Sequence, residues 1–266
     1  MKIDFCGKKV SEIGVGTWHM GGTYQPDHAG DKRDIAALKL ALDNGVNVID
    51  TAEMYAAGHA EELVCDAIKG FDREELFIVT KVLPSHLGHD DLIKSAKASL
   101  KRLGSKYIDL YLIHWLESGS DIGSAISTME GLVDQGIVRN IGVSNFGTEQ
   151  LEKAMASAKR YEIAANQIKY SLAEKHCEKE VVPFCEKNGI RVIAYSPLAR
   201  GKVADMREVV DMASRIGKTP MQVGLNYLMR RSLPIPKASS PGHLMDVLGS
   251  TGWRLEESDY AKLSAL

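Results

Sequence analysis

Segments with apolar residues at three- and four-residue spacings alternate along the chain with short, almost uninterrupted apolar runs. Ile35, Leu38 and Leu42 share one helical face, as do Ile126, Met129 and Val133, and Val181 with Cys185. The runs at 46–49, 76–80 and 108–113 are aliphatic or β-branched and short enough to be strands. One piece of punctuation recurs where helix gives way to strand: Asn44-Gly45, Gln135-Gly136 and Asn188-Gly189. Glycine takes the left-handed conformation of a helix C-terminus without a Cβ clash, so each pair predicts a helix stop followed by a strand start. Further helices are expected at 92–103, 151–158 and 209–216, and Pro220 opens another at a position where its missing N–H is harmless.

Strands are expected near Gly14, Val48, Ile78, Leu110, Gly142, Asn166, Ile193 and Ile235, at the intervals of roughly 25 to 40 residues that βαβ units require. Strands apolar on both faces imply a parallel sheet covered by helices, so the predicted fold is α/β: a single (β/α)8 TIM barrel over residues 1–266. Residues 2–10, broken by Cys6-Gly7, predict a short N-terminal β-hairpin that plugs the bottom of the barrel.

Charge and composition narrow the partners. The 266 residues carry a formal net charge of −2, which offers no basic field for nucleic acid or an anionic membrane. The N-terminal segment is alternating and charged, and no stretch approaches the ~18 apolar residues of a membrane span, so a cytoplasmic protein is expected. Cys6, Cys65, Cys177 and Cys185 have no paired metal or redox spacing and read as free thiols.

Asp50, Tyr55, Lys81 and His114 sit at or just beyond the ends of three successive apolar runs. In a barrel those ends converge on one mouth, where the chemistry is done. A phenol titrates near 10 and becomes useful near neutrality when a cation stabilises its anion, a task that fits Lys81. Asp50 can keep Lys81 charged and aimed, while His114 can donate to the same oxygen that Tyr55 protonates. Such a set polarises a carbonyl and delivers one proton but supplies no electron pair, so a nicotinamide hydride donor is expected.

Asp50-Thr51-Ala52 with Tyr55, Thr80-Lys81, Leu112-Ile113-His114-Trp115, Gly142-Val143-Ser144-Asn145-Phe146, Ala194-Tyr195-Ser196-Pro197-Leu198 and Ile235-Pro236-Lys237 together resemble the aldo-keto reductases in order and spacing. The resemblance spans nearly the whole chain. It implies NAD(P)H-dependent reduction of aldehydes or ketones, with Tyr55 as proton donor, Lys81 and Asp50 tuning it, and His114 orienting the carbonyl. It also implies that Ser144, Asn145 and Gln167 hold the nicotinamide carboxamide, that Tyr195 stacks on the ring, and that Gly16 and Thr17 approach from the first strand. Ser196 and Leu198 would border the pyrophosphate, with the Arg200-Gly201 loop folding over it. Gly14-Val15-Gly16 and Gly21-Gly22 form no GxGxxG loop, and this family binds its cofactor without one.

At the adenosine end the chain departs from the family pattern. Lys237 stands where a 2′-phosphate contact is expected, but Ala238 follows it, His243 replaces a frequent arginine, and Asp246-Val247 replaces a frequent Glu-Asn pair. Lys237, with Ser239 and Ser240 nearby, favours NADPH, with NADH possible as a second donor. Trp18, Met54, Leu83 and Trp115 match the family's pocket positions and predict an apolar, aromatic rim. The short stretch after Trp253 predicts an open mouth and a broad range of small-molecule carbonyl substrates; a monomer or weak homo-oligomer is expected.

His86 and His89 flank Gly88 in a polar loop and read as solvated residues, so no metal site is expected; Glu61-Glu62 and residues 72–75 read as ordinary exposed charges. Two rival functions share the same letters. Lys81 could form a Schiff base as a lyase, a role that wants a neutral amine and is opposed by Asp50. The chain could instead serve as a cofactor-binding regulatory subunit with little turnover, a use that some members of the resembled family have.

Overall fold

The computed structural model describes residues 2–237 and 240–266. Eight parallel strands run in chain order around one sheet: β3 (Val15–Gly16), β4 (Val48–Asp50), β5 (Phe77–Val82), β6 (Ile108–Ile113), β7 (Val138–Ser144), β8 (Ile163–Lys169), β9 (Arg191–Tyr195) and β10 (Leu233–Pro234). First and last meet, for the Gly14 and Gly16 amides donate to the Pro234 and Pro236 carbonyls at 2.9 and 3.1 Å. Gly16 is required there, since a Cβ would lie 3.0 Å from the Ile235 carbonyl oxygen. The expected (β/α)8 barrel is the fold observed, with β1 (Lys2–Phe5) and β2 (Lys8–Ser11) as the antiparallel hairpin. Its turn is Cys6-Gly7, both at positive φ, the pair of left-handed residues that a two-residue hairpin turn of matching twist needs.

Helices α1 (Asp31–Asp43), α2 (His59–Ala67), α3 (His89–Leu103), α4 (Ile122–Asp134), α5 (Thr148–Ser157), α6 (Val181–Lys187), α7 (Arg207–Ile216), α8 (Pro220–Leu228), α9 (Pro241–Leu248) and α10 (Glu257–Ser264) surround the strands. Strand periodicity divides the core into two layers. Ile49, Ile78, Ile113 and Val192 face outward into the strand-to-helix layer, and Val48, Phe77, Val79, Leu110, Leu112 and Ile193 fill the barrel interior. Phe5 and Val10 of the hairpin close that interior from below, Phe5 edge-on to Phe77 with ring centroids 5.5 Å apart.

One expectation about charged residues needs correction. Glu61 is fully buried: its carboxylate accepts from Thr80 Oγ1 and from Arg102 Nε, each at 2.6 Å, tying β5, α2 and α3 together. The two histidines about Gly88 do face solvent, His89 exposed and the His86 side chain 43% exposed, while His86 Nδ1 also meets Glu53 and His89 Nδ1 meets Thr128, each at 3.0 Å.

Candidate active site

The two-residue period that places Val48, Phe77, Val79, Leu110 and Leu112 inside the barrel places Asp50, Lys81 and His114 inside as well, at the C-terminal ends of β4, β5 and β6. Tyr55 follows β4 on a tight turn, Tyr55–Gly58, in which Ala56, Ala57 and Gly58 take φ values of 50°, 50° and 94°. Left-handed backbone costs an alanine about 1–2 kcal/mol. Its presence twice in succession marks a turn held by its surroundings, and the Ala56 amide donates to the Thr23 carbonyl at 2.7 Å.

Lys81 is fully buried and its three N–H donors are all placed: Asp50 Oδ1 at 2.7 Å, the Thr51 carbonyl at 2.9 Å, and the Tyr55 phenol oxygen at 3.1 Å. Asp50 accepts on its other oxygen from Gln167 Nε2 at 2.7 Å. The His114 ring lies 5.8 Å from that of Tyr55, at 70°. All four residues of the quartet therefore meet at one mouth.

Electrostatics assign their protonation. Burial alone would push Lys81 down, but Asp50 and the phenol oxygen outweigh it and hold the amine above its ordinary value. Burial raises Tyr55 more than the Lys81 ammonium lowers it, so the expectation of a favoured phenolate is corrected: the resting phenol keeps its proton. Burial, with Lys81 adding repulsion, pushes His114 down to about 2, leaving a neutral imidazole whose Nδ1 is buried without a hydrogen-bond partner.

The residues expected around a nicotinamide form a chain of hydrogen bonds along the next strand ends. Ser144 Oγ donates to the Gln167 carbonyl at 2.9 Å, Asn145 Nδ2 to the His114 carbonyl at 3.0 Å, and the Tyr195 hydroxyl to Asn145 Oδ1 at 2.9 Å. Thr17, after β3, is buried with its hydroxyl unpartnered. Asn145 and Ser196 hold positive φ (62° and 50°), as do Ala199 and Arg200 beyond them. Ser196, Leu198, Arg200, Lys237 and His243 line a groove of about 290 Å³, to which Pro236 and Met221 also contribute; Met221 was not singled out from the sequence, because an apolar groove wall carries no local signature. Lys237 is exposed, its Nζ donating to the His19 carbonyl at 3.1 Å. Ser240 Oγ caps α9 by accepting from the His243 amide at 3.3 Å, and Ser239 lies outside the described residues. Asp246 is occupied by Thr219 and Gln222, at 2.7 and 3.0 Å, and so is turned to its own helix pair.

Of the expected rim, Trp18 packs on Tyr55 with ring centroids 4.8 Å apart, Trp115 on His114 at 4.6 Å, and Met54 joins the Ala52–Tyr55–Ala60 cluster. Leu83 is half-buried just after β5, its amide donating to Glu53 Oε1 at 2.7 Å. Tyr24, 64% exposed, stands edge-on to Trp18 at 5.6 Å and extends the aromatic rim in a way its position in a polar loop did not announce.

A strand-end carboxylate–ammonium–phenol set thus lies beside a neutral imidazole at the mouth of a (β/α)8 barrel. Residues 12–266 match the model of the aldo/keto reductase family, and the chain belongs to that family. It is an NADPH-dependent oxidoreductase that reduces aldehydes and ketones. It is 34% identical to methylglyoxal reductase YeaE of Escherichia coli (strain K12), over 98% of this chain and 93% of that one. It is 36% identical to methylglyoxal reductase DkgB of Salmonella typhimurium, covering 87% of each. Among solved structures, a thermostable aldo-keto reductase in complex with the inhibitor epalrestat superposes with a TM-score of 0.95 at 39% identity, covering 100% of this chain and 99% of that one. An aldo/keto reductase from Klebsiella pneumoniae in complex with NADP and acetate gives 0.89 at 35%, covering 97% and 91%. No helix among the described residues is long and apolar enough to cross a membrane.

Proposed function

We propose that this chain reduces small carbonyl compounds, 2-oxoaldehydes such as methylglyoxal among them, in the cytoplasm as a monomer or weak homo-oligomer, preferring NADPH to NADH. The observation that carries the residue roles is the position of Lys81 Nζ, 2.7 Å from the Asp50 carboxylate and 3.1 Å from the Tyr55 hydroxyl. Because Lys81 donates to the phenol oxygen, the Tyr55 O–H itself remains free to point at a substrate. As the carbonyl oxygen gains negative charge, Tyr55 delivers its proton and the neighbouring ammonium stabilises the phenolate left behind. Asp50 keeps Lys81 protonated, which also opposes a Schiff-base role, and Gln167 fixes the carboxylate from the other side.

His114 acts as a neutral donor. With no acceptor beside Nδ1, we assign its proton to Nε2, the nitrogen left to meet the carbonyl oxygen. When bound, the reduced nicotinamide supplies the hydride. The site's polar inventory fits that group: Ser144, Asn145 and Gln167 can exchange some of their mutual hydrogen bonds for a carboxamide, and Tyr195 can stack on the ring. Gly16 and Thr17 can border the cofactor from β3. Arg200 and Lys237 bring two cations to the groove beyond Ser196, whose one carboxylate, Asp246, is engaged by Thr219 and Gln222, and Lys237 favours the 2′-phosphate of NADPH. The names of the Escherichia coli and Salmonella relatives and the compact rim of Trp18, Met54, Leu83 and Trp115 support a small substrate.

NADPH oxidation across a panel of small and bulky aldehydes and ketones, with Tyr55→Phe in parallel, tests this reading. The variant should bind NADPH as the parent does and lose about 10²–10⁴-fold in kcat. A variant that still reduces methylglyoxal at the parental rate would remove Tyr55 from the mechanism.

A further inference from the structure

Outside the reaction centre, His28, Asp31 and His59 bring one ligand atom each to within 4.8 Å of one another. Asp31 opens α1 and its carboxylate is the hub, 2.9 Å from His28 Nδ1 and 3.0 Å from His59 Nε2. The two imidazole rings stand edge to face, 4.2 Å between centroids. Four ligands on bonds of about 2.1 Å in a tetrahedron lie about 3.4 Å apart; the two nitrogen–oxygen separations, 2.9 and 3.0 Å, are within about 0.5 Å of that, and the third, no more than 4.8 Å, would close by about 1.4 Å at most to share one ion.

The surroundings are those of a built site. Glu62 Oε2 lies 2.8 Å from His59 Nδ1, leaving Nε2 to face the hub, as the carboxylate behind a metal-bound histidine does. His59 is buried to 8% exposure and pressed by Gly21, where an added Cβ would come within 2.7 Å of its ring. His28, by contrast, has a side chain 71% exposed, which leaves a side open for water as a fourth ligand. Coordination takes the imidazoles as neutral ligands, so in the bound state Asp31 and Glu62 would give the cluster two negative charges, matched to a divalent ion. Two nitrogens and one carboxylate suit zinc and its neighbours; the all-oxygen shells of magnesium and calcium do not fit.

We propose that His28, Asp31 and His59 form a binding site for a divalent transition-metal ion of the zinc class, with Glu62 as a positioning residue. Its place in the fold gives it a structural role. His28 ends the loop that carries Trp18 and Tyr24, and His59 begins α2 immediately after the Tyr55–Gly58 turn. An ion there pins the rim loop to the segment that holds the proton donor, reinforcing the single backbone bond from Ala56 to Thr23. The site needs neither NADPH nor a carbonyl, so it stands or falls apart from the proposed reaction.

Zinc binding to the untagged chain, measured by competition with a chromogenic chelator and by the zinc-induced rise in Tm, tests the proposal. One ion per chain should bind, magnesium at millimolar concentration should not displace it, and Tyr55→Phe should leave it unchanged. His28→Ala, on an exposed side chain that folding does not need, and Asp31→Asn should each weaken binding at least tenfold and abolish the Tm rise, and Glu62→Gln should weaken it about tenfold. No stoichiometric binding, or binding that His28→Ala and Asp31→Asn leave intact, would reduce the cluster to a hydrogen-bonded imidazolium and overturn the proposal.

Discussion

The two ends of the barrel solve opposite problems with the same kinds of residue. At the bottom the buried polar side chains of Asp109 and Asn47 are answered: Asp109 takes Lys8 at 3.1 Å, Arg73 at 2.6 Å and the Ile78 amide at 3.0 Å. Asn47 there bonds Ser11, Lys9 and Glu75. At the top, Thr17, Thr51 and His114 each bury a polar atom without a partner. Among the described residues eight non-glycines hold positive φ, and of these only Cys6 belongs to the bottom hairpin; His19, Ala56, Ala57, Asn145, Ser196, Ala199 and Arg200 all follow strand ends at the mouth. Satisfied polar groups and relaxed backbone stabilise a plug, whereas unsatisfied groups and strained backbone are what a ligand can later complete.

The contrast is sharpest between two buried lysine pairs. Lys81→Met takes the ammonium from Asp50, a carboxyl that burial already pushes up, and leaves it buried with Gln167, which should cost about 3–5 kcal/mol in urea unfolding and at least about 10²-fold in kcat/KM. Lys8→Met removes a half-buried lysine from Asp109, which keeps Arg73, and should cost only about 1 kcal/mol with kcat unchanged. Equal losses from the two would erase the distinction between the ends. Phe5→Ala probes the plug itself. It should lower stability by about 3–5 kcal/mol, and at temperatures where the variant is folded its kcat should match the parent.

His114 links the mouth to pH. Its folded value near 2 lies below the ordinary imidazole value of 6.5, so the unfolded chain takes up a proton that the folded chain refuses. The stability it contributes is complete above about pH 6.5 and is lost progressively as pH falls from there toward 2. Tm measured across that window should fall more steeply for the parent than for His114→Asn, which carries no titrating group. Parallel curves would mean that the imidazole is not held neutral by its surroundings.

How much of this was legible in the chain depends on how far apart the interacting residues lie. Asp50, Lys81 and His114 stand at the ends of apolar runs, and the two-residue period aims them inward, so their convergence follows from local pattern and barrel topology. The helix stops at Gly45, Gly136 and Gly189 are equally local, each with φ between 70° and 86°. Glu61 was misjudged because its partners, Thr80 and Arg102, lie 19 and 41 residues away and no charge pattern on α2 points to them. The His28–Asp31–His59 cluster escaped for the same reason, Asp31 and His59 standing 28 positions apart, while the closer pair His86 and His89 drew attention and binds Glu53 and Thr128 instead. The net direction of Tyr55 was missed because burial, unlike the presence of a neighbouring lysine, is a property of the whole barrel.

The smallest effect tests the strain directly. Ala57 is exposed and holds φ at 50°, so Ala57→Gly removes a left-handed penalty of about 1–2 kcal/mol. Glycine's greater freedom in the unfolded chain returns about 0.5–1 kcal/mol of that, leaving a net stabilisation of at most about 1.5 kcal/mol. If the turn's rigidity is what holds Tyr55 beside Lys81, the more stable variant should also be the slower one, because the residue two positions after the proton donor then explores more backbone conformations. The same exchange at Cys6, in the bottom hairpin, removes a comparable penalty at φ 48° and should leave kcat untouched. A rise in stability at both positions with a loss of kcat only at Ala57 would assign the strain at the mouth to catalysis; unchanged kcat at both would assign it to chain geometry alone.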